Sequence, residues 1–313
     1  MARTAPEERP APQERSAVLL TRAPALGPLL ARGALRSPFR RPRADAPVPR
    51  TRLVLPSARV DLARLAAYER VCGFPSGADA LPLTYPHVLG FPLAMRLMSG
   101  GGFPLPLLGL VHTSIALTRH TALRATEAYE LSVHIAGLTP HRRGTEAVVV
   151  TALRAGGAAV WESTSTYLAR HRTAGTTGEP GRSAPGAAPP PAVAEWRLPA
   201  DLGRRYGAAS GDRNPIHLHP LTARLFGFPR PIAHGMWTVA RCLAAHGVPE
   251  AVSVRAAFRA PVLLPGTVVY AADDRGRFAL RAPEGAAGEA AGGAPDGAAG
   301  RVHLVGEVAA PGG

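Results

Sequence analysis

Lysine is missing from all 313 residues, every basic position except histidine being arginine, and asparagine occurs once, as Asn214. A bias this complete marks a GC-rich coding sequence that replaces residues wherever it can, so a lone asparagine that survives asks for a reason. Cysteine is nearly missing too. Cys72 and Cys242 lie far apart without metal-ligand spacing, which excludes a disulfide-stapled scaffold and reads as two buried thiols in a reducing, cytoplasmic compartment. No apolar run approaches the roughly 20 residues that a membrane helix needs. Aromatic residues make up only 5% of the chain, and basic and aromatic residues do not interleave outside the N-terminal arm, which argues against a nucleic-acid partner.

What is present bounds the class. Hydrophobic residues at 46% are enough to bury a real core, in one large domain or two ordinary ones. The net charge of +14 would raise nucleic acid as a partner, but residues 1–50 hold ten Arg against Glu7, Glu8, Glu14 and Asp45. That arm is rich in Pro and Ala, shows no sustained periodicity, and reads as a disordered tail dispensable for chemistry. Its apolar run "SAVLL" is cut by Thr21 and Arg22 too early for a secretory core.

The rest divides at residues 171–192, "HRTAGTTGEPGRSAPGAAPPPA", through which no hydrophobic face can be drawn and which reads as a linker. The flanking segments, 51–170 and 193–313, share a layout. In the first, "YPHVLGFPLAMRLMS" (85–99) has the apolar density of a buried helix, and four strand-like runs follow. In "YELSVHI", Leu131, Val133 and Ile135 alternate with polar neighbours, as a strand with one wet face requires. In the second, "IAHGMWTVARCLAAHG" (232–247) is the helix and four strands again follow, the last two separated by a Gly/Ala-rich insert at 283–300 that reads as a hairpin loop. A helix followed by antiparallel strands, twice, is a duplicated α+β unit.

The lone asparagine sits in "YGAASGDRNPIHLHPLTA" (206–223). Gly211 permits an unusual turn and Pro215 pushes Asn214 out of the helical region, so this loop is non-helical and can aim Asp212 and His217 at one point. A carboxylate and an imidazole converging on one water are what adding or removing the elements of water needs, one taking a proton as the other gives one. The Asn214 amide, donor and acceptor at once, can hold the two in register. Downstream, "IAHGMW" puts Gly235 at the start of the apolar helix, where an exposed amide at a helix N-terminus polarises a carbonyl. Ser210 and Tyr206 suit substrate contact and loop packing equally well. His234 suits a bracing role, and His219 a place behind Asp212 and His217 or at the surface. His87, His112, His120, His134 and His141 share no spacing and carry no assignment.

Tyr206, Ser210-Gly211-Asp212, Asn214-Pro215-Ile216-His217 and Ala223 resemble the hydratase-2 signature of the MaoC-like dehydratases, and "GFPRPIAHGM" is similar to the family's usual continuation. The resemblance covers about residues 195–270 closely. It implies a hot-dog fold, an antiparallel sheet wrapped around one long helix, present here twice as a double hot-dog. It implies reversible hydration of trans-2-enoyl thioesters of coenzyme A or acyl carrier protein to (R)-3-hydroxyacyl thioesters, without cofactor or metal. It maps the catalytic pair onto Asp212 and His217 and the oxyanion amide onto Gly235. The first half lacks an Asp-x-Asn-Pro-x-His sequence and resembles the degenerate half of double-hot-dog members, which shapes the acyl pocket. Three alternatives stay open: a metal hydrolase using His217, His219, Asp212 and His234, a thioesterase on the same fold, and a non-catalytic acyl-thioester binder. Whether the chain is a monomer or a homodimer is not expressed in these motifs.

Overall fold

The computed structural model describes residues 15–172, 189–285 and 300–311. Most of the expected linker and of the 283–300 insert lies outside the described residues. The first half contains β2 (Thr51–Arg59), α2 (Leu62–Cys72), α3 (Tyr85–Met98), β3 (Val111–Arg119), β4 (Ala128–His141), β5 (Gly144–Ala155) and β6 (Ala158–Arg170), preceded by β1 (Ser16–Leu19) and α1 (Leu26–Arg36). The second contains β7 (Ala192–Leu198), α4 (Leu202–Ser210), α5 (Pro220–Leu225), α6 (Gly235–His246), β8 (Val252–Phe258), β9 (Gly266–Ala272), β10 (Arg277–Arg281) and β11 (Val302–Ala309).

The eleven strands among the described residues form one sheet in the order β1-β2-β4-β5-β6-β3-β8-β11-β10-β9-β7. Apart from the added β1, the order reads symmetrically outward from the β3–β8 pair, so two five-stranded antiparallel units meet edge to edge. Each unit wraps its own apolar helix, and the architecture is a double hot-dog. Ten of the fourteen residues of α3 are buried, as expected of a helix that is apolar all round. Pro86 sits at its N-terminus, where the missing N–H costs nothing. Leu131, Val133 and Ile135 of β4 are buried beneath it.

The seam pairs Ser114–Arg119 with Ala257–Val252 in antiparallel register. Further ties cross between the halves. The buried Arg119 guanidinium donates to the carbonyls of Glu250 at 2.6 Å, Pro249 at 2.8 Å and Leu81 at 3.1 Å. Trp237 Nε1 on α6 donates to the Val71 carbonyl of α2 at 2.8 Å, and Arg64 Nε on α2 donates to the Ala209 carbonyl of α4 at 2.7 Å. Tyr68 and Tyr206 face each other across the same junction with ring centroids 5.9 Å apart. Cys72 and Cys242 are both buried and unpaired, as the composition implied.

The N-terminal arm departs from expectation. From residue 15 onward it is built into the fold: β1 pairs in parallel with β2, with Ser16 opposite Thr51, and α1 packs on α3. Its periodicity escapes notice because Gly27, Pro28 and Gly33 punctuate an otherwise amphipathic run in which Leu26, Leu29 and Leu30 face inward and Arg32 and Arg36 outward. Tertiary contacts, not propensity, hold that helix.

Separating the halves would strip β8 of its β3 partner and return Tyr206 and Trp237 to water. At about 1.5–3 kcal/mol per large apolar side chain, that loss is comparable with the about 5–15 kcal/mol that stabilises a whole domain. Residues 193–313 expressed alone are therefore expected to aggregate or to lack a cooperative unfolding transition, checked by size-exclusion chromatography and thermal circular dichroism. A monodisperse, cooperatively folded fragment would contradict this.

Candidate active site

The site begins where α4 stops. Gly211 ends the helix with φ +83°, in the left-handed region that glycine tolerates, and its N–H donates to the Gly207 carbonyl at 3.0 Å. Asp212 follows, its N–H donating to Ser210 Oγ at 3.2 Å. One Asp212 carboxylate oxygen accepts the Asn214 N–H at 3.2 Å, and the Asn214 side chain in turn accepts the Ile216 N–H at 3.4 Å. Asn214 holds φ −59° and ψ 126°, the extended conformation that Pro215 imposes on its predecessor. The loop expected to be wholly non-helical closes with one 3-10 turn, Pro215–His217, because a proline at the first helical position needs no donor. The lone asparagine of the chain thus caps that turn and holds the aspartate with its backbone.

His217 lies at the end of the turn, 8% exposed. Its Nδ1 donates to the Ile232 carbonyl at 2.7 Å, which leaves Nε2 as the acceptor available to the cavity that His217 lines. His234 stacks on it with ring centroids 3.6 Å apart and donates from Nε2 to the Asp212 carbonyl at 2.9 Å. His234 thereby braces the loop, and Tyr206 backs it with rings 4.7 Å apart. Asp212, His217 and His234 place ligand-type atoms within 4.8 Å of one another, the one such group among the described residues and the one that could hold a metal ion. His219 stands apart from it: it is exposed and its Nδ1 accepts the Leu221 N–H as the cap of α5, so a His217-x-His219 ligand pair does not form.

Burial sets the electrostatics. It pushes the Asp212 carboxyl above its ordinary range, an effect that His217 and the Asn214 N–H partly offset. Burial likewise pushes His217 below the usual imidazole range, against the opposing pull of Asp212 and the Ile232 carbonyl. His234 is driven well down by burial and by His217. At neutral pH both imidazoles are uncharged. The Asp212 side chain keeps 30% exposure, and that exposure is to the cavity it lines.

Gly235 is the first residue of α6, with His234 as its cap, so its amide is among the N–H groups that no helical carbonyl satisfies. It lines the same cavity. A Cβ there would meet the Phe258 ring at 2.9 Å, so glycine is what lets β8 close against the helix N-terminus.

The cavity, about 850 Å³, is lined by both halves. The second supplies Asp212, Asn214, His217, Gly235, Tyr206 and Ser210. The first supplies residues to which the sequence assigned nothing, among them His87, His112, His141 and Tyr167. His112 stacks on Tyr167 at 4.5 Å and lies 4.8 Å from Phe258, hence one ring away from Gly235. His87 follows at 5.9 Å. Burial pushes His87 down to about 4 and His112 well below its usual range, and both are neutral. No spacing in the sequence signals this group, because α3, β3 and β6 bring it together. His120 and His134 are not among the residues lining the cavity.

The MaoC like domain family matches residues 183–285, which contain the whole loop and α6. The chain is 38% identical over 244 residues to 3-hydroxyacyl-thioester dehydratase X of Mycobacterium tuberculosis, a match covering 76% of this chain and 86% of that protein. The crystal structure of HtdX from Mycobacterium tuberculosis superposes with a TM-score of 0.68 at 33% identity, over 83% of this chain and 99% of that one. A MaoC-like dehydratase from Phytophthora capsici shares the fold at 18% identity, with a TM-score of 0.61 over 85% of this chain and 96% of that one. Loop, helix N-terminus, doubled sheet and sequence identity over most of both chains agree, and the chain belongs to the MaoC-like dehydratase family.

Proposed function

We propose that this protein is a hydro-lyase that adds water to trans-2-enoyl thioesters of coenzyme A or acyl carrier protein, and removes it from the (R)-3-hydroxyacyl products, with Asp212 and His217 sharing one water. The observation that carries this reading is the convergence of Asp212 and His217 on a cavity whose wall also holds the Gly235 amide. The carboxylate of Asp212 and the Nε2 of neutral His217 can each accept a hydrogen of one water, which turns its oxygen lone pair outward. In hydration that oxygen bonds to C3 as the water gives up one proton to the pair, and the pair then hands that same proton to C2. Dehydration reverses these transfers. The electron pair that moves from the C2–C3 bond onto the thioester oxygen meets the Gly235 N–H at the positive end of α6. Asn214 and His234 act as positioning residues, one on the carboxylate and one on the loop backbone. Five exposed arginines, Arg142, Arg143, Arg170, Arg213 and Arg259, line the cavity against only Glu146 and Asp212 as acids. Such a rim suits the phosphate-bearing handle common to both thioester carriers.

The test is turnover of trans-2-enoyl-CoA by single and double variants. Asp212→Asn and His217→Ala are each expected to lose a factor of about 10²–10⁴, and the double variant little more than the worse single, since groups acting as a unit are non-additive. His219→Ala stays close to wild type. Wild-type-like rates in folded Asp212→Asn or His217→Ala protein would sink the assignment. Product analysis with saturated acyl-CoA separates a thioesterase, and undiminished turnover after chelation separates a metal hydrolase.

The acid limb of kcat/KM should report Asp212. Because burial raises its carboxyl, activity is expected to fall at a pH above the ordinary carboxylate range, and the pH–rate profile checks this. The sign for stability is opposite to that of a salt-bridged acid. A raised folded pKa means that ionised Asp212 costs stability in full above the folded value, and the cost fades as pH falls below that value and is gone below the unfolded pKa. Asp212→Asn is therefore expected to keep or raise Tm at pH 7 while losing activity, and a lowered Tm would show that the carboxylate is structurally required.

A further inference from the structure

The N-terminal segment expected to be dispensable runs along the cavity instead. β1 fixes it to the outer edge of the first unit, extended by the Leu20 N–H donating to the Val54 carbonyl at 2.7 Å. The chain then crosses to the catalytic loop, where the Leu26 side chain stands 2.8 Å from where a Cβ on Gly211 would lie. From there α1 leads back to the loop that follows α3. That far end is clamped: Arg32 and Arg36 donate to Ser99 Oγ at 3.2 Å and the Ser99 carbonyl at 3.3 Å, and Arg40 to the Gly100 carbonyl at 2.6 Å. Ser37 Oγ donates to the Gly33 carbonyl at 2.7 Å and accepts the Leu108 N–H at 2.9 Å. Between these anchors Leu30 and Ala34 line the cavity together with Phe91, Met95 and Met98 of α3 and Leu107.

This stretch of wall is wholly apolar, in contrast to the wall around Asp212, His217 and the arginine rim. Two of its six residues are methionines, whose unbranched side chains adapt to an apolar occupant of variable shape. Ala34 presents only a methyl group to the cavity, as does Ala31 one helical turn before it, so a larger side chain at Ala34 would take up cavity space.

We propose that α1 completes the acyl-binding site and that Ala34 and Leu30 set how long an acyl chain the cavity accepts, the tail lying between α1 and α3. The ligand class is a straight apolar acyl chain longer than the few carbons that the reacting centre itself accommodates. The proposal rests on the reading of the cavity as an acyl-thioester site. Each methylene taken from water improves binding by about fourfold, so room for several of them is a selectivity of orders of magnitude, and one aromatic ring in their place removes it.

The test uses the full chain and ligands that cannot be hydrated, so that it does not depend on turnover. Affinities for saturated four-carbon and sixteen-carbon acyl-CoA are measured by calorimetry for wild type, Ala34→Phe and Leu30→Ala, each first shown by circular dichroism and thermal unfolding to be folded. Wild type is expected to bind the sixteen-carbon chain at least tenfold more tightly than the four-carbon one. Ala34→Phe should erase most of that preference while changing four-carbon affinity less than twofold, and Leu30→Ala should keep or extend it. A wild type without chain-length preference would overturn the proposal. So would an Ala34→Phe variant that weakens both ligands equally, or neither. If Ala34→Phe does not fold, the smaller Ala34→Val is read against the same criteria. Hydration of trans-2-enoyl-CoA by the wild type is scored separately: binding with the expected length profile but no turnover leaves the wall in place and removes the catalytic reading.

Discussion

The antiparallel pairing of β3 with β8 is the interaction on which the rest of the molecule depends. It turns two five-stranded units into one sheet and removes an exposed edge from each. It also sets Phe258 at the end of β8 beside His112 at the start of β3, so that the N-terminus of α6 and the residues of the first half meet in one cavity. The buried Arg119, spending its donors on three backbone carbonyls, locks the far end of the same seam. Six residue pairs and one guanidinium therefore help to bring a loop of the second half to a cavity that both halves wall.

The loop is held from both sides in the same spirit. Arg64 of α2 reaches across to the Ala209 carbonyl just before the loop, and its guanidinium and Leu26 fill the space beside Gly211. His234 and Ile232, on the approach to α6, take the loop from below through backbone contacts that leave the Asp212 carboxylate and His217 Nε2 to the cavity. The cost of this arrangement is visible in the groups it strands. A carboxyl is raised by burial, and His234 Nδ1, His87 Nδ1 and His112 Nε2 have no hydrogen-bond partner among the described residues. A protein selected for stability alone would satisfy or remove them, whereas sites of chemistry keep perturbed groups.

Much of this could be read from the chain before any coordinates. The alternation at Leu131, Val133 and Ile135, the all-apolar helices near 85 and 235, and their repetition led to the doubled α+β unit. The lone Asn214 between Asp212 and Pro215 led to the loop and its chemistry. These features were legible because they are local: a proline restricts its neighbour, a glycine permits a left-handed turn, and a two-residue period sorts the faces of a strand, all within a few residues. The histidines of the first half were not legible, since His87 and His112 are 25 positions apart and Tyr167 a further 55. Only the register of β3 against β6 stacks His112 on Tyr167.

The sequence by itself determined the elements, the duplication and the loop at 211–217, because hydrophobic period, capping and turn chemistry act over one or two turns of chain. The tertiary structure alone decided that α1 is a wall of the cavity and not a tail, and which side chains line that cavity. Leu30 and Ala34 belong to a helix too interrupted by glycine and proline to hold its shape in water, and it takes that shape because the surface it covers removes its apolar face from solvent.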